Sequence, residues 1–185
     1  IVVMMTSFTR TIIILSFTRN AMGVQQAPPN MVIVGITLFL TLYIMNPVLQ
    51  RINEEAYQPY INDEITQEEA VERAMEPLKE FMVRNTYKST LDNFVRMSNT
   101  PEQDQAIDYP LTVIVPSFMT SELKRGFTAG FLIYLPFLLV DVIVSTTLMS
   151  MGIVMLPPAM ISMPFKLLLF VTVDGWEFLF STIVQ

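Results

Sequence analysis

Neither cysteine nor histidine occurs among the 185 residues. The first absence removes disulfide frameworks, thiol nucleophiles and thiolate metal sites; the second removes the commonest general base and transition-metal ligand. Charge is scarce as well, at 15% of residues against the roughly 25% of a soluble domain, while 52% of residues are hydrophobic and the mean hydropathy is +0.48. That balance excludes an ordinary water-soluble domain and points to an integral membrane protein. There is no glycine-rich phosphate loop and no dinucleotide fingerprint, so the chain has no means of hydrolysing ATP by itself. No cofactor, metal site or nucleic-acid partner is expected.

What charge there is lies unevenly. Residues 51–110 hold thirteen acids and six bases, net −7; the remainder holds four acids and five bases, net +1, which together give the overall −6. An acidic stretch of sixty residues is therefore flanked by apolar segments, and it is too small for a large independent enzyme domain. The chain opens on Ile1-Val2-Val3-Met4-Met5 in mid-pattern, which leads us to expect residues upstream, with room for a signal sequence.

Four apolar segments stand out. Residues 31–49 are uncharged and match the ~20 residues needed to cross a bilayer. Residues 1–18 contain Arg10, residues 126–155 contain Asp141, and residues 163–184 contain Lys166, Asp174 and Glu177. Each ionisable group at mid-membrane costs about 2.5–3.5 kcal/mol on insertion scales, so these five are expected to face protein or water and to pair. Asp141 with Lys166 is the first candidate. Counted from the prolines, Asp141 lies sixteen residues before Pro157 and Lys166 eight after Pro158, so contact calls for an offset or a neighbouring subunit.

The acidic stretch reads as helical. Thr66-Gln67-Glu68-Glu69 is a capping box, opening a helix whose apolar face carries Ala70, Ala74, Leu78, Phe81 and Met82. Pro77 is expected to kink or end it. A second short helix is expected after Ser89, and Thr100-Pro101-Glu102 reads as the start of a further turn. The glutamates show no convergence of the kind a metal site needs.

The flanks echo one another. Met22 to Met31 aligns without gaps to Met151 to Met160, both reading Met-Gly, four residues, Pro-Pro, one residue, Met. Gly23 with Pro28-Pro29 and Gly152 with Pro157-Pro158 are thus expected as the bends of two helical hairpins. The fold expected is all-α: a first hairpin over 1–50, an acidic helical insert over 51–110 and a second hairpin over 111–185. Arg51, Lys124 and Arg125 at the insert side argue, if anything, against an external insert.

The ordered motifs Met4 to Arg10, Arg19 to Asn30, Pro116 to Lys124, Pro136 to Asp141, Pro157 to Lys166 and Val173 to Trp176 closely resemble the FliP family, the flagellar type III export gate subunits, over essentially the whole chain. The insert, from Glu55-Ala56-Tyr57 through Pro77 to Met82, resembles flagellar members rather than their virulence-injectisome relatives. The resemblance implies a ring of copies, five expected from the family, assembled with FliQ and FliR. It further implies contact with other export-apparatus proteins and membrane lipid, and a conduit across the bacterial inner membrane for unfolded flagellar proteins. It places the insert on the periplasmic side, against the charge count; long polar segments cross largely regardless of charge. It also implies that the loop before Pro157, here Ile153, Val154, Met155 and Leu156, constricts the pore, although family members carry several methionines where this chain has one. The bland alternative is that Met149, Met151, Met155, Met160 and Met163 simply fill hydrophobic packing. Two other classes stand beside this reading: a small secondary transporter, for which one short chain barely holds a substrate site, and a membrane enzyme using Asp174 and Glu177, one helical turn apart but without nucleophile or metal ligands.

Overall fold

The protein is described from a computed structural model covering residues 2–24, 27–153 and 155–184. Among the described residues every regular element is helical. The helices are α1 (Phe8–Ala21), α2 (Asn30–Ile52), α3 (Gln58–Ile61), α4 (Gln67–Arg84), α5 (Lys88–Met97), α6 (Leu111–Ser150), α7 (Pro158–Thr172) and α8 (Gly175–Val184). A π-helical turn, Asn53–Tyr57, carries α2 into α3, so that Asn30–Ile61 is one helical run of 32 residues. That run and the 40-residue α6 are each long and apolar enough to cross a membrane, and α7 with α8 makes a third such stretch, bent by 65° at its break. The first apolar segment forms a 3-10 turn, Val2–Met5, and then the 14-residue α1, about 21 Å long, which is short of the ~30 Å hydrocarbon core.

The chain divides into two compact units, residues 1–9 with 41–125, and residues 10–40 with 126–185. In the first, Met82, Leu91, Val95, Tyr109, Val113 and Phe118 are buried together with Met5. Helix α4 starts where expected: the Thr66 hydroxyl accepts from the Glu69 amide at 3.3 Å, and the Glu69 carboxylate accepts from the Thr66 amide at 2.9 Å. The Thr66 amide, and after it the Thr66 hydroxyl at 3.2 Å from the same carboxylate oxygen, hold the Glu69 carboxyl below its ordinary pKa. Pro77, expected to kink or end the helix, does not end it. Pro77 is itself buried, and Met82 beyond it is fully enclosed, so packing of the following turn outweighs the lost hydrogen bond.

The second departure is at Thr100. Instead of opening a helix there, the chain closes α5: Asn99 takes a φ of 51°, the Thr100 amide donates to the Val95 carbonyl at 3.3 Å, and the Thr100 hydroxyl is engaged with that of Ser98 at 2.6 Å. The Thr100 hydroxyl is thereby engaged by Ser98 rather than by the amides that follow it. The following helical turn comes only at Ala106–Asp108. Helix α5 is moored to α6 by the Tyr87 amide, which donates to the Ser121 hydroxyl at 3.1 Å.

In the second unit Ala21, Met22, Phe137 and Phe170 form the buried cluster. Phe170 stands edge-on to Trp176 at 5.1 Å, clasping the α7–α8 break. The break falls at Asp174, whose φ of 48° ends α7 while its carbonyl accepts from the Phe178 amide to open α8. Gly175 permits this: a Cβ there would lie 2.3 Å from the Phe170 ring.

Candidate pore loop and its supporting ion pair

Two loops of the second unit end their preceding helices in the same way. Gly152 has φ +74°, its amide donates to the Met149 carbonyl and the Ile153 amide to the Leu148 carbonyl, both at 3.0 Å. This pairing satisfies the final carbonyls of α6 and requires the left-handed backbone that glycine adopts without penalty. Gly23 has φ +77° and donates to the Asn20 carbonyl at 3.1 Å. Each loop then ends on proline. Pro157 precedes α7, with Pro158 at its first position, and the Pro29 carbonyl accepts the amides of Val32 and Ile33 at the start of α2. The first loop is braced by Arg19, which donates to the Pro28 carbonyl and the Asn30 side chain; Gln25 and Gln26 lie outside the described residues.

The four residues between Gly152 and Pro157 are apolar, and two of them are exposed to the surroundings. Met155 is 96% exposed and Leu156 48%, and Ile153 is half-buried. Val154 lies outside the described residues. Met149, Met151 and Met160, which the bland reading assigns to packing, are also exposed.

Asp141 and Lys166 meet within a single chain. The Lys166 amine lies 2.6 Å from one Asp141 oxygen, and the Ser162 hydroxyl donates to the other at 2.6 Å. The expected offset disappears because α6 stops at Ser150. Measured from the helix ends, Asp141 is nine residues back and Lys166 eight forward, so the two stand at nearly one level. Lys166 also lies beside the first loop, its amine 4.0 Å from where a Gly23 Cβ would stand. The sequence reading passed over Ser162, although its spacing of four from Lys166 puts both on one face of α7. Asp174 and Glu177 are exposed; Asp174 stands at the break, its carbonyl opening α8, and Glu177 lies in the first turn of that helix. Arg10 sits half-buried near the start of α1.

The family model described as the FliP family matches residues 1–183. This chain belongs to the FliP family. It is 50% identical over 182 residues to the flagellar biosynthetic protein FliP of Pectobacterium carotovorum subsp. carotovorum, which covers 98% of this chain and 70% of the relative. The FliP proteins of Aquifex aeolicus (47% identical, 100% of this chain, 78% of the relative) and Bacillus subtilis (46%, 100% and 84%) match likewise. The FliP family is one of structural export proteins rather than enzymes, and it belongs to the flagellar type III export apparatus. Membership sets aside the reading of Asp174 and Glu177 as a catalytic pair.

Proposed function

We propose that this chain is a pore-forming subunit of the flagellar export gate in the bacterial inner membrane, where copies of it, with FliQ and FliR, enclose a conduit for unfolded flagellar proteins. The observation that carries this is the loop between Gly152 and Pro157: apolar in sequence, with a left-handed Gly152 ending α6, α7 starting only at Pro158, and Met155 96% exposed. Non-helical backbone at membrane depth is tolerated only against protein or a water-lined cavity, and apolar rings in a narrow pore exclude water and ions. Around a ring axis, copies of Ile153, Val154, Met155 and Leu156 close on one another and part around a threaded chain. Asp141, Lys166 and Ser162 hold the two arms of the loop at a fixed spacing. Passage is driven from outside the chain, by the cytoplasmic ATPase complex and the proton motive force acting through neighbouring export proteins.

The acidic stretch 51–110 faces the periplasm in this reading. The adverse charge count loses much of its weight in the fold, because Arg51 is paired with Glu55 and Glu80, and Arg125 lies 3.6 Å from the Glu122 carboxylate. The flagellar rather than the injectisome assignment is supported by relatives that carry the flagellar name. The test is to replace Ile153, Val154 and Met155 together by alanine in cells producing the full assembly. Uptake of a normally excluded small solute should rise while assembly persists; unchanged permeability in an assembled complex refutes the role of this loop.

A further inference from the structure

The acidic first unit contains one basic corner. The Tyr87 ring carries two cations at once, with the Lys124 amine 5.2 Å and the Arg125 guanidinium 4.8 Å from its centroid. Lys88 follows Tyr87 in the chain, and Tyr87, Lys88 and Lys124 are all exposed. Gathering like charges on one ring is unfavourable unless something neutralises them. Arg125 has a local answer: Glu122 at 3.6 Å and the Asn85 side-chain oxygen at 3.2 Å. Lys88 and Lys124 have no carboxylate partner among the described residues. Two positive charges are therefore left unneutralised in a stretch whose net charge is otherwise strongly negative.

Their place along the chain says what meets them. Lys124 and Arg125 are the last charges on α6 before fifteen uncharged residues, 126–140, within a helix long and apolar enough to cross a membrane. Bases at that boundary stand at headgroup level, where lysine and arginine extend their charged ends toward the phosphates and a tyrosine ring is at home. We propose that Lys124 and Arg125, both over the Tyr87 ring, form together with Lys88, the neighbour of Tyr87 in the chain, a binding site for the phosphate of an anionic phospholipid headgroup. The Tyr87 amide bond to Ser121 and the Asn85 bond to Arg125 fix the ring and guanidinium in advance, so ordering is spent mainly on the two lysines. The site depends on the membrane placement of α6 and is independent of whether the loop at Met155 seals a pore.

The full chain, extracted in detergent, is titrated with phosphatidylglycerol or with phosphatidylcholine, and bound lipids are counted by native mass spectrometry. A base near an anionic lipid surface contributes about fivefold in affinity. K124Q should therefore lower phosphatidylglycerol retention about fivefold and K88Q/K124Q about twenty-five-fold, with phosphatidylcholine retention unchanged. R96Q, which removes a base elsewhere on the same unit, should leave both unchanged. An undiminished preference for phosphatidylglycerol in K88Q/K124Q overturns the proposal. So does displacement of the lipid from the unsubstituted chain by millimolar inorganic phosphate, which would mark a site for free phosphate instead.

Discussion

Replacing Asp141 by asparagine should be among the most damaging single changes in the second unit, and the structure says by how much relative to its partner. The Lys166 side chain is 6% exposed and that of Asp141 29%. In Asp141→Asn the ammonium stays buried without a counter-charge, at a cost of about 3–5 kcal/mol. In Lys166→Met the carboxylate left behind is more open to its surroundings and keeps the Ser162 hydrogen bond, so the cost falls to about 1–3 kcal/mol. The double variant Asp141→Asn/Lys166→Met removes both charges together and should lie within about 1–2 kcal/mol of the unsubstituted chain, since apolar replacement of a whole buried pair is often close to neutral. The single tryptophan, Trp176, packs against Phe170 in the same unit and reports its melting in detergent. The order expected is Asp141→Asn least stable, Lys166→Met intermediate and the double variant most nearly normal. Additive effects, with a coupling under about 0.5 kcal/mol, would show that the two residues act separately and refute the reasoning.

Two further changes probe the frame around these sites. Gly175→Ala places a methyl 2.3 Å from the ring of the buried Phe170 and should lower stability by about 1–3 kcal/mol in the same melt, whereas Gly35→Ala, with nothing within 4 Å, should be nearly silent. Thr66→Ala removes the α4 cap at about 1 kcal/mol, read as earlier hydrogen exchange in the first turn of that helix. Because Glu69 titrates below its ordinary range in the folded chain, its contribution is fully present above the unfolded carboxylate pKa and is lost as pH falls through the lowered folded value. That acid sensitivity should vanish in Glu69→Gln.

The sequence made some of this legible and hid the rest for identifiable reasons. Local chemistry read well: Thr66 and Glu69 cap α4 as their spacing demands, and the glycines at 23 and 152, expected at bends, take positive φ where their helices end. Proline read less well, because its effect depends on what surrounds it. Pro77 continues a helix whose next turn is buried, while no helix starts at Pro101, where the Thr100 amide and hydroxyl are turned to Val95 and Ser98 at the end of α5. The meeting of Asp141 with Lys166 turned on where α6 stops, and no count from the prolines supplies that. The paired charges of Arg51 and Arg125 were invisible to a count that treats every base as free, since Glu80 is 29 residues from Arg51. Ser162 was in plain view, one helical turn from Lys166, and went unread because a serine in an apolar run looks like a tolerated small residue.

The way α6 ends bears on how a seal made of this loop would open. The amides of Gly152 and Ile153 are already committed to carbonyls of α6, and Pro157 and Pro158 have no N–H to commit. At both of its edges the stretch therefore lacks unspent backbone donors. Side chains on such a stretch can be pushed aside by a passing polypeptide without breaking the hydrogen bonds that end α6. They can then fall back together, and at its edges the loop offers an unfolded chain no amide to stick to.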